Sequence, residues 1–103
     1  MNAATLTLLS PAEMGRVLAG RAKSLRLLRG WTRNTLARRA GVSAASLKRF
    51  ETAGKASLEL VLKVAHALAR LEEFSKLFQP PTAQSIEELE QRAAKPAPKR
   101  GRT

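Results

Sequence analysis

The stretch TRNTLARRAGVSAASLKRFE, residues 32–51, has the pattern of two short helices joined by a tight turn. Thr32 and Ser43 each stand where a hydroxyl side chain would cap the first backbone amides of a helix. Gly41 lies between the two segments, where a left-handed backbone conformation costs little for a residue without Cβ. The pattern predicts helix 2 of the chain over about 33–40 and helix 3 over about 44–53.

Similar signals around this stretch predict three further helices. Ser10 and Glu13 form a capping box at the start of helix 1. Ser57 precedes a largely apolar helix 4, and a short helix 5 is predicted over about 72–78. No strand-like alternation persists along the chain, so we expect an all-α, compact five-helix domain with Trp31 as a core anchor.

The pattern divides the chain into three segments. Residues 1–9 form an N-terminal arm, and residues 10–79 form a single helical domain. The sequence QPP ends this domain, because proline cannot continue a helix. Residues 80–103 are expected to form a flexible, basic, Pro-containing tail with one short helix over 85–93.

The charge balance indicates a polyanionic partner. The 103 residues contain 19 lysines and arginines against 8 acidic residues, which gives a formal charge of +11 and a pI near 11.6. Most of this surplus lies within residues 1–56, where eleven basic residues stand against two acidic ones. A nucleic acid is the first expectation, and an anionic membrane surface is the second.

The chain lacks the residues that catalysis and metal binding usually require. It contains no cysteine, and its one histidine, His66, has no carboxylate pair beside it. We therefore expect no enzymatic activity, no metal and no cofactor. The N-terminus does not have the regions of a signal peptide, and no stretch approaches the roughly 18 apolar residues of a membrane span. A cytoplasmic protein with no membrane partner is expected.

From residue 10 to residue 79 the chain resembles the phage-repressor and Cro type of helix-turn-helix domain, often called the XRE family. The residues that carry the resemblance are RLLRGWTRNTLARRAGVSAASLKRFE, followed by a glycine and a serine-capped helix 4. More narrowly, the segment from GWTRNTLARRAG to LEEFSKLF looks like the small antitoxins that partner HipA-type kinase toxins.

The resemblance implies a lambda-repressor-like fold and a sequence-specific transcriptional regulator that binds a palindromic operator in double-stranded DNA as a homodimer. It also implies repression, including autorepression, and a location in the nucleoid through DNA binding. The narrower resemblance adds a HipA-like toxin as protein partner. Two alternatives stay open. One is a protein-interaction module or toxin neutraliser with only nonspecific DNA affinity, and the other is a helix-turn-helix used solely for packing.

In the family's docking mode, the N-terminal end of helix 3 enters the DNA major groove. Leu47 and Phe50 set the buried side of this helix, which leaves the opposite side for base contacts. An arginine there can bind both O6 and N7 of guanine, and alanine side chains can contact thymine methyl groups. The predicted base contacts are Ala44, Ala45, Lys48 and Arg49.

Phosphate contacts are expected from helix 2 and from residues in and beside helix 3. They are Thr32, Arg33, Asn34, Arg38, Ser43, Ser46 and Lys55. The family commonly has glutamine as the first residue of helix 2, where it binds a backbone phosphate and holds helix 3 by a hydrogen bond. This chain has Arg33 there, which should strengthen the phosphate contact and puts the hydrogen bond to helix 3 in doubt.

Glu51 is the one acidic residue in a strongly basic stretch. The resemblance implies that it pairs with a helix 1 arginine at the position of Arg26, in a partly buried ion pair that fixes helix 3 against the core. The alternative is an exposed acid with a weak local partner, since exposed ion pairs contribute little to stability.

Overall fold

The computed structural model describes residues 9–81, 90, 91 and 93. Residues 9–81 form four α-helices followed by a 3₁₀ helix: α1 (Pro11–Leu28), α2 (Arg33–Ala40), α3 (Ala44–Ala53), α4 (Leu58–Ala67) and the 3₁₀ helix (Leu71–Lys76). The described residues contain no β-strand, and the expected all-α fold class is confirmed. The bounds of α2 and α3 coincide with the predicted ones.

Two of the predicted segments lie largely outside the described residues. Of the N-terminal arm the structure describes Leu9 alone, and of the tail it describes residues 80, 81, 90, 91 and 93. The last three of these are helical and exposed. Most of the short helix predicted over 85–93 therefore falls outside the part of the chain that the structure describes.

Each α-helix begins at a hydroxyl side chain that accepts a hydrogen bond from the amide three residues later. The four capping residues are Ser10, Thr32, Ser43 and Ser57, and the distance from Oγ to N is 3.1 Å in every case. Glu13 completes a capping box at α1, because its Oε1 accepts from the backbone amide of Ser10 at 2.9 Å. Loss of such a cap typically costs about 1 kcal/mol, so these local contacts determine where the helices start.

The turns after α2 and α3 use glycine in a left-handed conformation. Gly41 has a φ of 72° and Gly54 a φ of 70°, and each donates its amide to a carbonyl of the preceding helix. A residue with Cβ would be strained at these φ values. The two glycines therefore set where α2 and α3 end.

The segment after α4 differs from the prediction of a fifth α-helix over about 72–78. Ala69 has a left-handed φ of 61°, and the chain then forms only six residues of 3₁₀ helix. No side chain caps this helix, and 3₁₀ hydrogen bonds are too poorly aligned to sustain a longer run. Leu77 and Phe78, the last two residues of the predicted helix, lie outside the 3₁₀ helix and are exposed. The fifth helix is thus shorter and less packed than predicted.

The core lies between the first four helices. Leu36 and Leu47 are fully buried, and Phe50 and Val64 are buried beside them. α1 packs against α3, and α2 packs against both α3 and α4. Burial of each leucine side chain contributes about 1.5–3 kcal/mol, so the apolar residues of α3 hold its inner face against the core. The opposite face of α3 is left to the solvent.

α1 and the end of α3 approach each other closely at two glycines. A Cβ added to Gly15 would lie 2.7 Å from the carbonyl oxygen of Gly54, and one added to Gly54 would lie 2.7 Å from the amide nitrogen of Arg16. These neighbours are backbone atoms, so the helices themselves would have to move apart. The lack of side chains at this crossing is what lets α1 and α3 touch. The sequence pattern did not predict this role of Gly15.

Gly15→Ala should destabilise the fold by about 1–3 kcal/mol, because the added methyl group displaces backbone at the contact between α1 and α3. Gly20→Ala is the matched control in the same helix. Apart from its own helix backbone, no atom lies within 4 Å of the added Cβ, so this variant should be more stable by roughly 0.5–1 kcal/mol. Urea unfolding followed by circular dichroism measures both. Equal stability of the two variants would contradict the close approach.

Candidate nucleic-acid interface

α3 presents all four predicted base-contact residues to the solvent. Leu47 and Phe50 occupy its buried face. The first turn of the exposed face consists of alanines, and because their side chains end at Cβ, another molecule can come close to the helix there. The four exposed residues are Ala44, Ala45, Lys48 and Arg49.

A shallow cleft, here called the α2–α3 cleft, lies between the N-terminal parts of α2 and α3. Its volume is about 320 Å³, and its lining consists of Thr32, Arg33, Asn34, Ala44, Ala45 and Lys48. All six are predicted site residues. Arg33 and Lys48 bring two positive charges, Asn34 brings an amide donor, and the lining contains no acidic residue. The cleft therefore suits an anionic group such as a phosphate.

The other predicted DNA contacts lie outside this cleft. Arg49 is exposed further along α3, Arg38 is exposed on α2, and Lys55 is exposed just after α3. Ser43 and Ser46 stand at the start of α3 and are exposed as well. The structure thus gathers part of the predicted set into one cleft and distributes the rest along both helices.

The capping hydroxyl groups already have hydrogen-bond partners. Ser43 Oγ accepts from the amide of Ser46 at 3.1 Å and donates to its Oγ at 2.8 Å. Thr32 Oγ1 has the same arrangement with Thr35, at 3.1 and 3.0 Å. Each capping hydroxyl is thus engaged with both the amide and the hydroxyl of the residue three positions later. Because a hydroxyl group both donates and accepts, either member of the Ser43–Ser46 pair can still donate to a phosphate.

Trp31, predicted as a core anchor, packs against the core from its edge and is half-buried. Two guanidinium groups lie over its ring, that of Arg29 at 5.0 Å and that of Arg39 at 4.5 Å from the ring centroid. Such cation–π contacts suit the planar arginine side chain. Arg39 therefore has a partner inside the domain, whereas the adjacent Arg38 has no hydrogen bond or ion pair among the described residues.

A buried ion pair connects α1 to α3. Arg26 Nε donates to Glu51 Oε2 at 2.8 Å, and Arg26 Nη2 donates to Glu51 Oε1 at 2.9 Å. The Nη1 of the same arginine donates to the carbonyl oxygen of Trp31 at 2.9 Å. The Arg26 side chain is 8% exposed and that of Glu51 is 0% exposed. In this structure Glu51 is therefore not an exposed acid with a weak local partner.

Arg33 also hydrogen-bonds Glu51, although its replacement of glutamine had put such a contact in doubt. Its Nε donates to Glu51 Oε1 at 3.2 Å, and its side chain is 32% exposed. The contact forms because the arginine side chain is long enough to bring its Nε–H from the start of α2 to α3. Glu51 is therefore shared between a buried arginine of α1 and a partly exposed arginine of α2.

The two arginines keep Glu51 ionised. Burial raises the pKa of its carboxyl group, but the hydrogen bonds and charges of Arg26 and Arg33 outweigh burial and hold the pKa below its usual value near 4.5. Glu51 is therefore a carboxylate at neutral pH. Since two cations share this one anion, one positive charge remains in excess beside the α2–α3 cleft.

The described residues also form an apolar cavity, away from the α2–α3 cleft. Among the described residues, no group of three or more His, Cys, Asp or Glu side chains is placed to hold a metal ion. None of the helices in this part of the chain combines the length and the apolar character that a membrane crossing requires. An apolar cavity of about 640 Å³, here called the α1–α4 groove, has Leu18, Leu25, Val61 and Phe74 in its lining.

Residues 23–74 match a family model described as helix-turn-helix, of the XRE type. The matched region covers just over half of the chain, from the last third of α1 into the 3₁₀ helix, and includes every predicted site residue. The family consists of DNA-binding regulatory domains and is not typically enzymatic. A comparison with curated proteins gives no match.

Arg26→Ala should destabilise the fold by about 3–5 kcal/mol, because it leaves the buried Glu51 carboxylate with only the partly exposed Arg33. Arg38→Ala is the matched control, since this exposed arginine should change the free energy of unfolding by less than about 0.5 kcal/mol. Thermal melts of both variants make the comparison. An unchanged melting temperature for Arg26→Ala would contradict the structural role of the ion pair.

Glu51 should also make the stability of the fold depend on pH in the acid range. The pKa of Glu51 is lowered in the folded state. Its contribution to the free energy of unfolding is therefore fully present above its unfolded pKa near 4.5, and this contribution is lost as the pH falls through the lower folded pKa. Glu51→Gln removes this contribution, and its unfolding free energy should fall less steeply between about pH 5 and pH 3. Urea midpoints across this range measure the effect. Identical slopes of urea midpoint against pH for the wild-type protein and Glu51→Gln would contradict this role of Glu51.

Proposed function

The chain belongs to the helix-turn-helix family, and on this premise we propose that it is a sequence-specific, DNA-binding transcriptional regulator. In this proposal α3 enters the major groove of double-stranded DNA, and α2 contacts the phosphate backbone. The observation that carries the proposal is the α2–α3 cleft, in which Arg33 of α2 and Lys48 of α3 lie beside the alanines of the first turn of α3. A helix about 10–12 Å across also fits a major groove about 12 Å wide.

The base contacts are assigned to the exposed face of α3. Arg49 is proposed to bind guanine through O6 and N7, and Lys48 to bind guanine or a neighbouring phosphate. Ala44 and Ala45 are proposed to contact thymine methyl groups, because their short side chains let the helix approach the bases. An operator that suits this assignment has thymine near guanine.

The phosphate contacts are assigned to α2 and to the two ends of α3. Arg33 and Asn34 line the α2–α3 cleft, and Arg38 is exposed on the same helix. Lys55 follows α3 and can reach the flanking DNA backbone. The other proposed contacts are the first backbone amides of α2, which Thr32 caps, and the hydroxyl groups of Ser43 and Ser46.

The proposal extends to the assembly and its role in the cell. The family resemblance favours a homodimer on a palindromic operator, with half-sites about one helical turn apart. The formal charge of +11 supports binding through many phosphate contacts and hence a steep salt dependence. Repression, including that of its own operon, and a cytoplasmic, nucleoid-associated location belong to the same proposal.

A second candidate function is a protein-interaction module, or the neutraliser of a HipA-like toxin, whose DNA affinity is nonspecific. The observation that favours it is the open, apolar α1–α4 groove. Arg16, Arg21 and Arg70 also line this groove, together with Glu73, which pairs with Arg70. The lining keeps a net positive charge from Arg16 and Arg21, which favours an acidic partner. The two functions are compatible in one antitoxin that binds DNA through α3 and a toxin through the groove. A kinase-like gene beside that of this protein would support the toxin partner.

Lys48→Ala and Arg49→Ala should reduce sequence preference more than overall DNA affinity. Loss of a bidentate base contact costs about 1–3 kcal/mol of discrimination, which lowers the ratio of specific to nonspecific affinity about 5- to 150-fold. Arg21→Ala removes the same charge from α1 and is the matched control. The measurement is fluorescence anisotropy at several salt concentrations. Its two DNA probes are a duplex that the wild-type protein selects from a random library and a shuffled version of that duplex.

The contrary result is that Lys48→Ala and Arg49→Ala lower the affinity for both duplexes equally, with all binding lost at higher salt. This result would contradict specific recognition by α3 and would favour the second candidate function. An equal loss of sequence preference in Arg21→Ala would show that the base contacts had been assigned to the wrong helix.

A further inference from the structure

The α1–α4 groove is an apolar surface that the described helices leave open to the solvent. Its volume is about 640 Å³, and Leu18 in its lining is 36% exposed. Open apolar grooves of this kind typically bind the apolar face of an amphipathic helix. We propose that residues 85–91 of the same chain, here called the acidic segment, occupy this groove through Ile86 and Leu89. This contact within the chain does not depend on DNA and goes beyond the proposed function.

The lining of the groove carries an excess of positive charge. Arg70 pairs with Glu73, whereas Arg16 and Arg21 have no acidic counterpart in the lining. Arg21 is exposed and makes no hydrogen bond or ion pair with any residue that the structure describes. An acidic occupant gives this arginine a partner, whereas a basic one would be repelled.

The acidic segment has the composition that this groove favours. Its sequence, SIEELEQ, contains three glutamates and no basic residue, and residues 80–103 contain no other acid. Ile86 and Leu89 stand three residues apart, so on a helix they share one face. Glu87 and Glu90 have the same spacing and lie along one edge of that face. The segment thus combines an apolar face that fits the groove with the negative charge that attracts the groove arginines.

The sequence predicts that the acidic segment is helical. Ser85 and Glu88 have the spacing of a capping box, which starts a helix at this point of the chain. The described part of the segment, residues 90 and 91, is helical and exposed. This exposure leaves the contact with the groove to the two apolar residues of the segment and places the carboxylate of residue 90 at the edge of the contact.

The chain leaves the domain beside this groove. Phe74 of the 3₁₀ helix lines the groove, and Ile86 follows twelve residues later. Twelve extended residues span up to about 40 Å, several times the diameter of a helix, which is about 10–12 Å. The connection is therefore long enough for the segment to reach the groove of its own chain. Such a tether gives an effective concentration on the order of millimolar, so even a weak affinity suffices for docking.

The docked segment covers the inner side of the helix that is proposed to read DNA. Phe50 belongs to α3, and it stands in the lining of the α1–α4 groove. No residue lines both this groove and the α2–α3 cleft, so docking leaves the cleft free for DNA. The segment also occupies the surface that the second candidate function assigns to a protein partner. Such a partner therefore has to displace the segment before it binds.

Disulfide trapping in the full chain tests the contact, because the chain contains no cysteine of its own. Leu18→Cys combined with Leu89→Cys introduces two thiols that bond only when their Cβ atoms approach to about 4 Å. Leu27→Cys with Leu89→Cys is the matched control, since Leu27 is an exposed leucine of α1 outside the groove lining. During mild oxidation of dilute protein, the Leu18 pair should form an intramolecular disulfide about tenfold faster than the control pair.

The charge of the groove is tested in the same trapping assay. Arg21→Glu, added to the Leu18 and Leu89 cysteine variant, should slow disulfide formation about two- to fivefold, because an attraction at the edge of the contact becomes a repulsion. Lys23→Glu is the matched control, since this exposed lysine of α1 does not line the groove. It makes the same change in net charge and should leave the rate unchanged.

Thermal melts verify that each variant is folded, and Val61→Cys with Leu89→Cys repeats the test from the α4 side if Leu18→Cys does not fold. Equal trapping rates for the Leu18 and Leu27 pairs would overturn the inference, because the segment would then collide with α1 at random. A disulfide-linked dimer as main product would also overturn it and assign the groove to a second copy. Absence of any disulfide would do the same and leave the groove to a separate protein partner.

Discussion

The buried carboxylate of Glu51 is the constraint on which the arrangement of the domain depends. A charge in the interior is costly unless opposite charges and hydrogen bonds surround it, and Arg26 and Arg33 supply both. This requirement brings α1, the carbonyl group of Trp31 and α2 to one point on α3. Apolar packing alone tolerates small rotations of a helix, whereas a bidentate ion pair does not. We therefore infer that the cluster of Glu51, Arg26 and Arg33 fixes the orientation of α3 more than it raises the net stability of the fold.

The features that depend on nearby residues could be predicted from the sequence. The start of α3 follows from the hydroxyl group of Ser43, which bonds an amide three residues away, and its exposed face follows from the spacing of Leu47 and Phe50. The proximity of Arg26 and Glu51 came from family resemblance, since nothing in the local pattern brings two residues so far apart in sequence together. The bounds of α2 and α3 and the exposed positions on α3 could therefore be predicted from the sequence.

The features that depend on distances across the fold could not be predicted. No local pattern marks the contact between Gly15 and Gly54. Apolar spacing does not distinguish an α-helix from the uncapped 3₁₀ helix over 71–76. The bond from Arg33 to Glu51 depends on how far the start of α2 lies from α3. In the candidate site, the positions of the exposed side chains were thus predictable, and the hydrogen bonds that already occupy several of them were not.

Trp31 is the only tryptophan in the chain, and two guanidinium groups lie over its ring: that of Arg29, at the end of α1, and that of Arg39, on α2. Indole emission responds to the charge and polarity around the ring. The fluorescence of Trp31 therefore reports on the junction of α1 and α2, and α2 carries part of the α2–α3 cleft. A shift of α2 would alter the distance from Arg39 to the ring and could be followed in real time without any attached dye.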